Sequence, residues 1–148
     1  MPYTNRYQAL KERQQQDVNA FPFFFAFNEG QFAEGMHSLG LSPGEEGKLY
    51  RLGSTGGFYR RTDSDRLHEM FDRHAAEMQA AVDSDATGDG FIYEMFLYEL
   101  ANHEFTYTND LSDTLDALDL TSEEINADKR LQHGLRKAVA ELRRTEEG

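Results

Sequence analysis

The spacing of apolar side chains predicts a mostly helical chain. Between residues 64 and 82, one face repeats every three or four positions, as an amphipathic helix requires. That face consists of Leu67, Met70, Phe71, His74, Met78 and Ala81. A second segment, 91–104, is apolar nearly all round, so we expect it to be the central and most buried helix. A last helix is predicted from Lys129, on a stripe that includes Leu135 and Leu142.

Capping residues predict shorter helices elsewhere in the chain. A helix over residues 29–39 follows Asn28, which is a good N-cap. Asn109 or Asp110 is expected to open a short helix, and the segment that starts at Thr121 is expected to form another.

Residues 48–61 carry the predicted β-structure. Alternating apolar and basic residues in 48–52 and 58–61 flank a Gly-rich run, which is typical of a β-hairpin. The run also suggests a phosphate-binding loop, but the Lys-Ser/Thr ending and the following helix are missing, so a turn is favoured. Pro22 bars a helix interior in the Phe-rich segment 20–27. We therefore expect this segment to be a buried extended stretch or a tight corner that contributes to the core.

Length and composition narrow the structural class. A chain of 148 residues fits one domain, so we predict a single compact α+β domain over 1–148, mainly α-helical, with one small β-hairpin. The absence of cysteine excludes thiol nucleophiles, disulfides and thiolate zinc sites. No apolar run reaches the roughly 18 residues that span a bilayer, and the N-terminus lacks the apolar core of a secretion signal. We therefore expect a soluble, cytoplasmic protein.

The charge is distributed unevenly along the chain. The formal net charge is −12, from 15 Lys and Arg against 27 Asp and Glu. Residues 74–128 contain 14 acidic side chains and no Lys or Arg, whereas residues 1–73 hold 9 basic and 10 acidic side chains. Ordinary solvated faces mix both signs, because like charges repel and opposite charges four residues apart are stabilising. An acidic field of this kind repels nucleic acid and anionic membranes and attracts basic partners.

The acidic segment supplies the candidate partner-binding residues. They are Glu94, Glu99, Glu104, Asp110, Asp113, Asp116, Asp119, Glu123 and Glu124. Charges that recur every third residue of a helix lie about 4.5 Å apart along its axis, and duplex DNA carries one charge per about 1.7 Å. Two neighbouring acidic helices therefore approach the charge density of a duplex, and a protein that binds DNA through Lys and Arg would meet a similar field. The alternative is a solvated face that only promotes solubility.

An Asp-rich loop between two predicted helices suggests a calcium site. An EF-hand loop needs oxygen ligands at positions 1, 3 and 5, Gly at 6, an aliphatic residue at 8 and a bidentate Glu at 12. Counting from Asp83 places Glu94 at position 12 but a glycine at position 8. Counting from Asp85 retains Asp89 but places a phenylalanine at position 12. Because each register lacks an element, a turn between helices is favoured, and a site at Asp83, Asp85, Asp89 and Glu94 is the alternative.

The histidines do not form a recognisable catalytic or metal site. His68 begins like a zincin helix, but the next histidine is His74 rather than the residue four positions on. His74 lies on an apolar stripe, where a satisfied core histidine is the usual role. Glu99 and His103 share a helix face without an identifiable third ligand. We therefore predict no cofactor, no metal and no enzyme activity, with a small enzyme of unrecognised site as an alternative.

Several segments resemble a group of small proteins of mobile genetic elements. They are Arg6–Leu10 with Asn19–Phe27, and Thr87–Phe96 continuing through Tyr98–Glu104. In these segments the chain is similar to uncharacterised proteins encoded on phages and conjugative elements of gut anaerobes. Small accessory proteins of such elements are often inhibitors of host defence, and some anti-CRISPR proteins look like acidic DNA mimics. The resemblance thus implies an anti-defence setting by analogy.

These observations together predict a protein that acts by binding. The expected partner is a basic, nucleic-acid-handling host protein, such as a defence nuclease that the chain inhibits as a DNA mimic. Direct binding of nucleic acid or of a membrane is not expected. The alternative is a calcium-binding, EF-hand-like regulatory protein.

Overall fold

Eight α-helices and three β-strands make up the part of the chain that a computed structural model describes, residues 5–147, with side chains described up to residue 145. The helices are α1 Arg6–Ala20, α2 Glu29–Ser38, α3 Ser64–Asp83, α4 Phe91–Asn102, α5 Phe105–Thr108, α6 Ser112–Leu118, α7 Ser122–Ala127 and α8 Lys129–Glu147. The strands are β1 Phe23–Phe25, β2 Leu49–Leu52 and β3 Gly57–Arg60. The fold is α+β and mainly α-helical, as the sequence predicts.

Internal contacts divide the chain into two compact units. The first, which we call the helical unit, contains the described residues up to Arg13 and those from Ala76 onward. The second, the sheet unit, is Gln14–Ala75. Helices α1 and α3 contribute residues to both units. The single domain over 1–148 stays a prediction, and each unit is described by itself.

A three-stranded antiparallel sheet organises the sheet unit. Its order is β1-β3-β2, so β2 and β3 form the predicted hairpin and β1 adds a strand on the other side of β3. Each face of the sheet is covered by a small core. One core contains Phe24, Met36, Leu39 and Leu49, and the other contains Tyr59, Leu67 and Met70.

The Phe-rich segment is extended, but only part of it is buried. Phe24 in β1 is buried, whereas Phe25 and Phe27 are 54% and 77% exposed. The expectation of a buried segment is therefore wrong for these two rings. Phe25 is the last residue of β1 and lies opposite Gly57, which has no side chain to pack against it, and Phe27 lies beyond the end of the strand.

Helix α4 is the centre of the helical unit, and this prediction is confirmed. Ile92, Phe96 and Leu100 are fully buried in its core. Helix α8 approaches α4 closely at Gly134, where an added Cβ would lie 2.6 Å from Ile92 Cγ2. Such a distance leaves no room for a side chain, which explains a glycine in the middle of a helix that it would otherwise weaken.

Candidate acidic interaction surface

Left-handed backbone conformations divide the acidic segment into short helices. Glu104, Asn109 and Asp119 have φ values of 54°, 56° and 53°, and they are the non-glycine residues with positive φ in the described chain. Glu104 and Asn109 flank α5, and Asp119 ends α6. Consequently α6 is one short helix rather than a continuous acidic rod.

Apolar side chains and one threonine hydroxyl attach the acidic segment to the core of the helical unit. Thr114 is fully buried, and its Oγ1 donates a hydrogen bond of 3.4 Å to the backbone oxygen of Glu99. Ile125 of α7 is buried, and Leu115 and Leu118 pack against the same core. Because these residues occupy the inner side, the acidic side chains between them face solvent.

Seven carboxylates of the segment are exposed, and we call them the acidic surface. They are Glu104, Asp110, Asp113, Asp116, Asp119, Glu123 and Glu124. None of them forms an ion pair with a residue that the structure describes. The regular spacing predicted for a helix holds only for Asp113 and Asp116, which α6 separates by about 4.5 Å along its axis. Asp110 precedes that helix and Asp119 follows it.

Two members of the acidic surface also shape the backbone. Asp110 Oδ1 accepts a hydrogen bond of 2.8 Å from the Ser112 amide, which lowers the pKa of Asp110. Glu124 and Thr121 form a capping box at the start of α7. Asp113, Asp116 and Glu123 have no such role among the described residues, so their carboxylates are available to a partner.

Glu94 and Glu99 do not belong to this surface, although the sequence placed them there. They are 3% and 1% exposed. Arg6 Nε lies 2.7 Å from Glu94 Oε2, and Lys11 Nζ lies 3.3 Å from Glu99 Oε1. The prediction that these two residues are exposed is wrong. Helix α4 is buried on nearly all sides, and α1 supplies a cation for each carboxylate.

A polar cluster surrounds the buried Glu99 carboxylate. The Tyr7 hydroxyl donates to Glu99 Oε1 at 3.1 Å, and His103 Nε2 lies 3.3 Å from Glu99 Oε2. Burial, and after it the negative charge of Glu99, raises the pKa of Tyr7 above its usual value. The cluster holds α1 against α4 with charge-assisted hydrogen bonds, which are stronger than neutral ones.

Sequence reasoning missed this cluster, although one signal could have found it. Arg6 and Lys11 lie five residues apart, and so do Glu94 and Glu99. The two pairs are separated by 88 positions in sequence. When two helices carry opposite charges at the same spacing, the charges can pair if the helices lie side by side. The sequence near each helix does not show that these two helices are neighbours.

The Asp-rich loop uses its central carboxylate to organise the backbone. Asp85 is buried, and its carboxylate accepts four backbone hydrogen bonds of 2.9 to 3.2 Å. Its Oδ1 accepts from the amides of Thr87 and Gly88. Its Oδ2 accepts from the amides of Gly90 and Ile92. Burial alone would raise the pKa of Asp85, but the four amides outweigh it and lower the pKa. This carboxylate therefore caps the start of α4 rather than facing an ion.

The other carboxylates of the proposed calcium set have separate partners. Asp83 accepts from Gln79 Nε2 at 2.8 Å. Asp89 pairs with His133 at 2.6 Å, which lowers the pKa of Asp89. Glu94 is bound to Arg6, as described above. Within residues 5–147, no three His, Asp or Glu residues are grouped so that they could hold a metal ion, so the geometry does not favour the calcium alternative.

His74, in the sheet unit, is a satisfied core histidine. It is buried, and its Nε2 lies 2.9 Å from Asp17 Oδ2. Arg73 contacts the same carboxylate at 3.1 Å. The hydrogen bonds from His74 and Arg73 lower the pKa of Asp17.

Comparison with known proteins supplies a family. None of the described helices combines the length and apolarity needed to cross a bilayer. No curated protein and no solved structure matches the chain. A family model, described as a family of unknown function, matches residues 6–141. Because the match covers most of the sequence, the chain belongs to the DUF7659 family.

Proposed function

We propose that this protein acts by binding a basic protein through the acidic surface. The observation that carries the proposal is the set of seven exposed carboxylates, none of which forms an ion pair with a described residue. Elsewhere in the same unit, carboxylates are paired: Asp128 with Arg130 at 2.9 Å and Asp89 with His133. Exposed carboxylates without ion pairs also occur in the sheet unit, but the acidic surface gathers seven of them within residues 104–124, where the sequence has no Lys or Arg.

The backbone at Glu104 supports the proposal. A left-handed conformation costs a residue with a Cβ about 1 to 2 kcal/mol, and only Gly, Asn and Asp adopt it routinely. Glu104 adopts it with its carboxylate exposed. A glutamate where glycine is favoured is easier to explain if the carboxylate itself is used.

The chemistry of the surface favours a partner that handles nucleic acid. Such proteins bind phosphate charges through Lys and Arg, and the acidic surface presents seven carboxylates of one sign, of which Asp113 and Asp116 keep the regular spacing of a helix. We propose that the chain competes with DNA or RNA for that site. We propose a defence nuclease as the first partner to test, because segments of the sequence resemble small proteins of mobile elements.

The test uses two variants of equal charge. D113K/D116K/E123K reverses exposed carboxylates of the acidic surface, and D65K/E69K/D72K reverses three exposed carboxylates of α3 that lack ion pairs with described residues. Each raises the formal net charge from −12 to −6. Wild type and both variants are immobilised, a cell lysate is passed over them, and retained proteins are identified by mass spectrometry.

The proposal predicts a nucleic-acid-binding protein that is retained by wild type and by the α3 variant but not by the acidic-surface variant. A DNA or RNA duplex should displace it, and so should raising NaCl from about 50 to about 500 mM, which shortens the Debye length roughly threefold. Equal retention by both variants, or retention that neither salt nor nucleic acid reverses, would contradict the proposal.

A further inference from the structure

The sheet unit contains a groove that is separate from the acidic surface. Its volume is about 810 Å³, within the usual range of about 300 to 1,000 Å³ for small-molecule sites. Residues of α2 and of the segment 41–46 line it, together with Ala26 and Asn28. All of these residues belong to one compact unit.

Close packing of α2 on the sheet builds the floor of the groove. A Cβ at Gly35 would lie 2.0 Å from the Phe24 ring, so the glycine allows the helix to rest directly on β1. Phe32 meets Phe24 edge-on, with 5.7 Å between the ring centroids. Met36 is buried in the same core. The floor is therefore held by packed side chains.

The end of α2 positions the second wall. Gly40 adopts a φ of 77°, and the Leu41 amide donates to the Met36 backbone oxygen at 2.9 Å. This left-handed end reverses the chain direction, as in a Schellman motif. The wall is then fixed by the Ser42 amide, which donates to Glu45 Oε1 at 2.8 Å. The groove is thus largely pre-formed, as ligand sites usually are.

The lining combines an apolar floor with negative charge at the rim. Phe32, Met36 and Leu41 supply apolar surface. Glu29 and Glu46 are exposed and line the groove, His37 lines it as well, and no Lys or Arg is among its lining residues. Neither glutamate forms an ion pair with a described residue. A neutral or anionic occupant would leave both carboxylates without a counter-charge.

We propose that this groove binds a small organic cation with an apolar body. The apolar body lies on Phe32, Met36 and Leu41, where its burial is favourable by area. The charged end lies at the rim, where Glu29 and Glu46 supply negative charge. This inference does not depend on the acidic surface or on its partner.

Three probes with one apolar body test the proposal: 4-phenylbutylamine, 4-phenylbutanol and 4-phenylbutyrate. At pH 7 the amine is a cation, the alcohol is neutral and the acid is an anion, as expected from ordinary amine and carboxyl pKa values. Binding is followed by ¹H–¹⁵N NMR titration of the whole chain. We expect the amine to bind about two- to fivefold more tightly than the alcohol, the range of an exposed ion pair, and the acid most weakly. Shifts should concentrate at Ala26, Ala33 and Leu41.

Variants separate the contribution of charge from that of shape. E29Q/E46Q should remove the preference for the amine while leaving the affinity for the alcohol unchanged. E34Q/D65N removes two exposed carboxylates of the same unit that do not line the groove, and it should leave all three affinities unchanged. Ala33 is exposed and lines the groove, so A33F should weaken every probe by filling space. Far-UV circular dichroism verifies that each variant is folded.

Three results would overturn the proposal. The first is equal affinity for amine, alcohol and acid. The second is an amine preference that persists in E29Q/E46Q. The third is that none of the three probes changes the NMR chemical shifts of the groove residues. This result would overturn the proposal even if sedimentation showed that a second copy of the chain occupies the groove.

Discussion

Two sets of carboxylates in the helical unit have the same chemistry and opposite surroundings. Glu94 and Glu99 of α4 are buried beside the cations of α1, whereas the seven carboxylates of the acidic surface are exposed without ion pairs to described residues. The difference lies in whether the fold brings a cation from a distant part of the chain. Net charge along the sequence therefore shows where acidic residues are, but only the fold shows which of them are free to bind.

The largest expected effect on the free energy of unfolding is at the buried carboxylate of Glu99. Glu99→Ala leaves the buried Tyr7 hydroxyl without its acceptor, which costs about 1 to 3 kcal/mol, and opens a cavity in the packed core. We therefore expect a loss of about 3 kcal/mol in the free energy of unfolding. Asp113→Ala is the matched control, because an exposed carboxylate away from such features changes stability by about 0.5 kcal/mol or less. Urea denaturation of both variants provides the measurement. Similar losses in the two variants would show that burial does not distinguish these carboxylates.

Asp85 tests the role assigned to the loop carboxylate. Asp85→Asn replaces one acceptor oxygen by an NH₂ group that faces backbone amides, and we expect a loss of about 2 kcal/mol at pH 7, since hydrogen bonds to charged groups contribute about 1.5 to 3 kcal/mol. The pKa of Asp85 is lowered in the folded state. Its contribution is therefore fully present above the unfolded pKa of about 3.9 and is lost as the pH falls through the folded pKa.

The pH dependence of that difference is the diagnostic measurement. In urea denaturation, the stability gap between wild type and Asp85→Asn should be constant from pH 7 to about pH 5 and should narrow below about pH 4. A gap that widens on acidification would refute the assignment.

Tyr7 provides a smaller test of the same buried cluster. Tyr7→Phe removes one hydrogen bond to Glu99 while keeping the ring, so we expect a loss of about 1 to 2 kcal/mol in the free energy of unfolding. Tyr107→Phe, at an exposed position, should leave stability unchanged. Burial raises the pKa of Tyr7 and also that of Tyr93. The absorbance of tyrosinate should therefore show late-ionising groups, and Tyr7→Phe should remove the Tyr7 contribution while that of Tyr93 remains.

Substitutions at Glu104 should have the smallest effect on the free energy of unfolding, although they should still weaken binding of the partner. Glu104→Gly relieves the left-handed strain but makes the unfolded chain more flexible, so we expect a net gain of about 0.5 kcal/mol. Glu104→Gln keeps the strain and should leave stability unchanged. Both variants remove one charge, so both should weaken the partner complex. A variant with unaltered binding would exclude Glu104 from the interface.

The periodic helices and the hairpin could be predicted from the sequence because their signals are local. The apolar spacing of α3, the nearly uniform apolarity of α4 and the Gly-rich turn between β2 and β3 each act within about twenty residues of chain. The third strand could not be predicted, because β1 has only three residues and is defined by pairing with β3. The exposure of Phe25 and Phe27 could not be predicted either, because it depends on the residue at which β1 ends and on the glycine opposite Phe25.

The candidate site was predictable only where exposure follows from a local pattern. Asp113 and Asp116 alternate with inward-facing leucines, which places them on the outside. Glu94 and Glu99 lie on a helix that has no solvent face, and their partners are 88 positions away. Asp85 could be recognised as a turn residue, but its four amide donors depend on the path of the whole loop.

The most direct test of the central claim is the association rate with the partner identified by pull-down. Stopped-flow or surface plasmon resonance measurements at about 50 and about 500 mM NaCl would compare wild type, D113K/D116K/E123K and D65K/E69K/D72K. Electrostatic steering raises association rates by about 10- to 1,000-fold, so wild type and the α3 variant should associate at least about tenfold faster than the acidic-surface variant at low salt. At high salt the three rates should converge. Rates that are equal at low salt, or that do not change with salt, would contradict the claim that the unpaired carboxylates form the docking surface.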